Sequence, residues 1–332
     1  MVGFTNVLLC VTEDDDAAVR YVARLAAATS ADLTIADVIE DVPPIARRLL
    51  PRSWNLPALV RTQKQARIER TAALAERLGV VPTTVLLTGS PLKTLVRQVI
   101  RGGHDLLAVG AVSPGTVQCV EVSATRLLRE APCPVLLVHP SRRRRRRPRI
   151  LVAVDTGPWV STGTSALTAK LIETAIWFAE KHEAELHVLH VWVPYGERMI
   201  IRAGLTEAES RRFLVGMREE VREELERALA PFRAHIDPRR MHLVKGDPRV
   251  AIADFATSHR IDLLVVGTVA RSGVAGRIIG NTAEAVLSQL PCSMLVVRPD
   301  VAITSRIPES PPATMKVRRV SPSVRHAPDV QS

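Results

Sequence analysis

Non-covalent anion chemistry is concentrated in one stretch, Gly267 to Glu284, reading GTVARSGVAGRIIGNTAE. An apolar run, Leu263 to Val266, precedes it, and Ala283, Val286, Leu287 and Leu290 repeat after it at helical spacing. The pattern is a buried strand, a glycine-rich loop and a helix start. Open α/β sheets bind ligands at such strand ends. Glycine lets backbone approach a phosphate, and the first N–H groups of the helix point at it. Asn281 and Glu284 also have N-x-x-E spacing, that of a helix N-cap resembling a capping box. Cap alone, and cap plus phosphate contact, both fit these residues.

Bond-making chemistry has less support. The sequence contains no G-x-x-x-x-G-K-[ST], G-x-S-x-G or H-E-x-x-H and offers no convincing acid–base pair, so dedicated catalysis is not expected. His182, His187 and His190 suggest a metal only superficially. His187 and His190 are an odd number of residues apart, so a strand sends them to opposite faces. Cys10, Cys119, Cys133 and Cys292 show no zinc spacing, and three lie in or beside apolar runs. They read as buried, reduced thiols of a cytoplasmic protein.

These residues need a scaffold. Of the 332 residues, 46% are hydrophobic but only 3% aromatic, so the core must be aliphatic. The net charge of +11 is largely local, because Arg142 to Arg147 are six consecutive arginines. Without interleaved aromatics the run lacks a stacking surface, which argues against nucleic acid and for a solvated linker. No basic, apolar leader and no membrane-length apolar run is present.

Strands are expected at Val7–Val11, Leu33–Val38, Thr83–Leu87, Asp105–Gly110 and Val135–His139. Helices are expected after the first strand to about Ser30, at Ala58–Leu78, at Pro91–Ile100 and at Ser123–Glu130. After the arginines the order returns. Ile150–Val154 matches Val7–Val11, Leu186–Val191 matches the second strand, and Glu207–Phe232 matches the long basic helix. Val244 and Gly246 repeat Leu87 and Gly89, Asp262–Gly267 repeats Asp105–Gly110, and Pro291–Cys292 repeats Pro132–Cys133. This internal repeat spans nearly all of residues 4 to 298. Alternating strands and helices imply parallel sheets, hence two doubly wound α/β domains, 4–140 and 150–298, each with five strands and about four helices. The two copies are expected to pack face to face as a pseudo-dimer. A linker is expected at 141–149, and the proline-rich tail from 299 is expected to be disordered.

With the repeat, the Gly267 loop, the Pro291–Cys292 stretch and the ILVAVD opening at Ile150–Asp155, the chain resembles a tandem universal stress protein. Gly280-Asn281-Thr282-Ala283-Glu284 is most similar to the tandem, E-type members. The resemblance implies a Rossmann-like fold and binding of an adenine nucleotide, ATP, with Mg accompanying it. By the same resemblance Asp155 meets ribose or adenine, and Val191 meets adenine through its backbone. Val266, Gly267 and Val269 lie beside sugar and base, and Gly280, Asn281 and Thr282 contact phosphate. It further implies a cytoplasmic stress-response regulator with protein partners, as a monomer or homodimer, rather than an enzyme; slow ATP turnover stays open.

This sequence departs from the family loop at two places. Ala270 stands where a glycine is usual, and Asn281 where a small hydroxyl is usual. In the first half Thr12 replaces the carboxylate of Asp155, and Glu121 falls near the place of Gly280, where its charge repels phosphate. The first half is therefore expected to be a partner domain without a standard site. The alternative class is a non-nucleotide module: a small-molecule or lipid pocket, or an interaction scaffold.

Overall fold

The structure, a computed structural model, describes residues 3–11, 16–41, 55–110, 124–140, 147–156, 162–194, 206–268, 281–287, 289 and 292–299. The first half runs β1 (Asn6–Cys10), α1 (Asp16–Thr29), β2 (Asp32–Ile39), α2 (Leu56–Glu76), β3 (Thr83–Thr88), α3 (Pro91–Gly102), β4 (Leu106–Gly110), α4 (Ala124–Glu130) and β5 (Val135–Val138). The second runs β6 (Arg149–Val154), α5 (Thr162–Lys181), β7 (Glu185–Trp192), α6 (Glu207–Leu229), β8 (Met241–Lys245), α7 (Pro248–Ser258), β9 (Leu263–Gly267), α8 (Asn281–Leu287) and β10 (Ser293–Val297). The strands are short aliphatic runs, buried on both faces at the centre of each half, as a doubly covered parallel sheet requires.

The ten strands among the described residues form one sheet, ordered β3-β2-β1-β4-β5-β10-β9-β6-β7-β8. Every neighbouring pair is parallel except β5 and β10, which pair antiparallel with Leu295 opposite Leu136. The halves therefore join edge to edge within a continuous sheet, which corrects the expected face-to-face packing. The physical reason lies in β5 and β10 themselves. Both are fully buried, so an open edge there would leave backbone N–H and C=O groups without partners.

Helices cover both faces. One apolar core lies under α1, α2, α5 and α6, and the other under α3, α4, α7 and α8. The first core runs across the junction: Phe4 packs on Trp177 and Phe178, and Tyr21 of α1 meets His182 at a ring distance of 5.4 Å. On the other face Arg129 of α4 pairs with Glu284 of α8, and Arg298 donates to the Ala131 carbonyl.

Local signals explain most element ends. The repeated glycines after β3 and β8, Gly89 and Gly246, have φ of 128° and 154°, a region that side chains resist. A capping box between Thr206 and Glu209 starts α6. The helix expected to reach Phe232 ends instead at Leu229 and tightens into a 3-10 turn, Ala230–His235. Pro231 lies in this turn, and its missing N–H cannot continue the α-helical ladder. Helix α2 buries only Ile68, Thr71 and Ala75, so its apolar contact is confined to its later turns. A loop is also expected from the prolines at 42–57, but α2 begins at Leu56 with Pro57 in its first turn, a place that proline's missing N–H tolerates. The linker expected at 141–149 ends before Arg149, where β6 begins. The rest of these expectations, at 42–54 and 141–146, with the loop expected at 111–122 and the tail beyond 299, lies outside the described residues.

Candidate functional site

In the second half-sheet β6 is the pivot. β7 and β8 lie on one side of it, β9 and β10 on the other. The helix after β6, α5, packs on one face of the sheet, and the helix after β9, α8, packs on the other. The carboxyl ends of β6 and β9 are therefore the topological switch point of this fold type, the place where such folds have their ligand crevice. The β6–β9 register ends at Val152 opposite Val265, although the strands continue to Val154 and Gly267. The two strand ends are therefore separated at the mouth of the crevice.

Asp155 is the first residue beyond β6 and is half-buried. Its carbonyl accepts a hydrogen bond from the Thr168 hydroxyl of α5 at 3.1 Å, which ties the strand end to the helix. Val191 is half-buried near the end of β7, opposite Val244 of β8. Val266 is buried in the core beneath α8 and opposes Val296. Gly267 closes β9, and Thr282, half-buried, is the second residue of α8. Asp155, Val191 and Gly267 thus share the carboxyl ends of three adjacent strands. Thr282 starts the helix that follows β9. Val269, Ala270 and Gly280 lie outside the described residues, as does the side chain of Asn281, and with them the loop and its cap.

Gly267 has a packing role of its own. A Cβ there would come within 2.6 Å of Leu167 Cδ2 and 3.2 Å of Leu171 Cδ1, so α5 rests directly on this backbone. The glycine signal in the sequence therefore reports a close helix–strand approach whether or not a ligand binds. Thr156 was not singled out by its sequence. It is buried, and its hydroxyl lacks a hydrogen-bond partner among the described residues. It directly follows Asp155, so a buried, unmatched hydroxyl stands at the crevice mouth, and such a group is costly unless something pairs with it. Only its place after the aspartate in VDT could have pointed to it. Glu284, expected to serve the Asn281 cap, takes Arg129 of the first half as a partner.

The matching end of the first half is different. Thr12 and Glu121 lie outside the described residues. At the end of β2 the Asp37 carboxylate is fully buried and meets Lys64 at 2.9 Å and Arg67 at 2.8 Å, both from α2. The register Leu8–Thr34 repeats as Leu151–His187, which puts His190 at the place of Asp37. His190 instead shares a hydrogen bond of 3.0 Å with the Val154 carbonyl.

The three histidines flagged by the sequence enter separate environments. His182 is stacked on Phe178, and burial lowers its pKa. His187 meets His242, and His190 meets Val154 across the sheet's other face. Cys10, Cys133 and Cys292 are buried and outside any disulfide among the described residues, and burial pushes the Cys133 and Cys292 thiols up to about 12. No described helix is long and apolar enough to cross a membrane.

Comparison with known proteins follows the same two-part division. The model of the Universal stress protein family matches residues 3–139 and again 147–298. Universal stress protein E of Escherichia coli K12 is 29% identical over 250 residues, covering 72% of this chain and 75% of that protein. Universal stress protein E of Photorhabdus laumondii is 23% identical over 317 residues, covering 90% and 96%. Among solved structures, a putative universal stress protein from Pseudomonas aeruginosa UCBPP-PA14 superposes with a TM-score of 0.62 at 24% identity, covering 90% of this chain and 94% of that one. One from Archaeoglobus fulgidus gives 0.58 at 16% identity, covering 89% and 96%. At these identities the structural likeness speaks for the fold.

Proposed function

The chain belongs to the universal stress protein family, and we propose that its second half binds an adenine nucleotide, ATP, and that the protein acts as a ligand-dependent cytoplasmic regulator rather than by turnover. What carries this reading is the meeting of Asp155, Val191 and Gly267 at the carboxyl ends of β6, β7 and β9, at the switch point of the sheet. A carboxylate at Asp155 accepts hydrogen bonds from ribose hydroxyls. Val191 offers backbone to adenine, Val266 and Val269 line sugar and base, and the segment from Ala270 through Gly280, Asn281 and Thr282 receives the phosphates. The buried hydroxyl of Thr156 gains a partner when a polar ligand fills the crevice. Mg enters as the ion that accompanies the phosphates of ATP. The first domain, 4–140, then serves as a partner without a site of its own, joined through 141–149 to the second, 150–298.

A second reading is a module that binds another small molecule or a lipid, or only protein partners. It is favoured by Gly267, which the approach of Leu167 explains without any ligand. Mass spectrometry of what co-purifies with the native chain separates the two. An adenine nucleotide retained by the wild type and lost in Asp155→Ala supports the first reading. A different retained molecule, or none together with no uptake of added ATP, overturns it.

A further inference from the structure

Three histidines that the candidate site does not use converge near the amino ends of β7 and β8. His187 of β7 and His242 of β8 stack with ring centroids 5.3 Å apart and planes 13° from parallel. His259, which follows α7, lies 5.6 Å from His242 and 6.5 Å from His187. Phe255 of α7 closes the cluster, stacked on His259 at 3.7 Å and tilted against His242 at 4.7 Å.

The two stacked imidazoles are hydrogen-bonded to each other, His187 Nδ1 to His242 Nε2 at 3.1 Å. Such a bond holds a single proton: one nitrogen donates and the other must be bare. The second nitrogen of His187, Nε2, is buried without a hydrogen-bond partner among the described residues. The nearest acidic oxygen, Glu185 Oε2, is 3.9 Å away. The Glu185 carboxylate is already engaged by Arg149 of β6 at 3.2 Å and by Arg240 at 3.4 Å. Asp237 reaches Arg240 only at 4.0 Å, and the Ser258 hydroxyl and the Phe255 carbonyl hold His259 Nδ1. Around His187 two guanidinium groups thus outnumber one carboxylate, and the cluster is built for neutral rings.

We infer that this cluster makes the β7–β8–α7 edge of the second half an acid-labile element: once His187 and His242 both take up protons they can no longer share their hydrogen bond, and this edge opens further than the matching edge of the first half. The matching positions of the first half, Thr34, Val85 and Gly102, with Gln98 in place of Phe255, carry no imidazole. A single buried ring, His104, lies against Gly102 and Gln98 there; it bonds to Asn6 at 2.7 Å and has no second imidazole among the described residues to share a proton with. Burial lowers its pKa against the pull of Asp105 and Asn6, so α3 and β4 carry a smaller acid response of the same sign. Burial, then His242, Arg240 and Arg149, push the pKa of His187 down to about 4 against the pull of Glu185. Burial and then His259 lower that of His242. The sign follows from linkage. A folded pKa below the ordinary value of about 6.5 means that the open state binds more protons, so the contribution to stability is whole above about 6.5 and is lost as pH falls toward about 4. For His187 alone this raises the opening constant about thirtyfold between pH 7.5 and pH 5.

Amide hydrogen exchange of the intact chain at those two pH values, corrected for intrinsic rates, tests this. Amides of β8 and α7 should open at least tenfold more at pH 5, and those of β3, at the matching edge of the first half, should change clearly less. Replacing both rings with the residues that the first half has there, His187→Thr with His242→Val, removes both titrating groups and should blunt the response. Ring-proton NMR titration of the wild type provides a readout that does not depend on that variant folding. Rings of His187 and His242 that titrate near 6.5 in the folded chain overturn the inference, as does equal acid opening of the two edges. Neither measurement involves a nucleotide.

Discussion

The two halves of the chain share one topology and differ at the carboxyl ends of their sheets. The second half presents Asp155 and Gly267 at the ends of β6 and β9, with a buried hydroxyl on Thr156 that has no hydrogen-bond partner among the described residues. The first half has Thr12 in place of the carboxylate, and at the end of β2 it buries Asp37 between Lys64 and Arg67. A repeat thus keeps its fold through its apolar strands, while the few polar residues at the strand ends change independently. In the first half these residues close a strand end with an internal ion-pair triad. In the second half the strand ends carry Asp155 and Gly267 instead.

The largest expected effect tests that triad. Asp37→Ala strips a buried carboxylate from two cations and should destabilise the first half by about 3–5 kcal/mol. His190→Leu, at the matching place, removes one hydrogen bond and should cost about 1 kcal/mol. Urea unfolding followed by hydrogen exchange in each half checks this, and equal costs would break the comparison. Next in size is the site itself. Asp155→Ala should weaken ATP binding by about 1.5–3 kcal/mol, roughly ten- to a hundredfold. Thr12→Asp should not create a first site, because Glu121 still stands near the place of Gly280 and no glycine occurs between Thr116 and Pro132; nucleotide titration of both variants reads this directly. Gly267→Ala drives a methyl group against Leu167 and should cost about 1–3 kcal/mol of stability, read from the shift in urea midpoint. The smallest effect belongs to the bridge between halves. Arg129 and Glu284 are both partly exposed, so Arg129→Met should change stability by only about 0–1 kcal/mol.

Much of this arrangement was legible in the residues. The apolar runs at Val7, Leu106, Ile150 and Leu263 announced central strands, and their recurrence with Gly89 and Gly246 announced two copies of one α/β unit. The odd spacing of His187 and His190 separated them to opposite faces. What the chain could not announce was which strand edges meet. β5 and β10 are apolar runs like any other, and nothing in Leu136 or Leu295 names the other as its partner. The role of Gly267 was half legible: the glycine was visible, but Leu167, the side chain that requires it, lies a hundred residues earlier in sequence. The His187–His242 bond joins residues 55 apart in the chain, on strands whose alignment only the folded sheet fixes. Thr156 carries no pattern at all, because an unmatched hydroxyl is defined by what surrounds it.

Calorimetric titration of ATP with magnesium into the wild-type chain and into Ala270→Gly tests the central claim most directly. One nucleotide per chain is expected, with binding tightened in Ala270→Gly if the methyl group constrains the loop. Two nucleotides per chain would contradict the difference between the halves. No heat at millimolar ATP in either protein would contradict nucleotide binding itself.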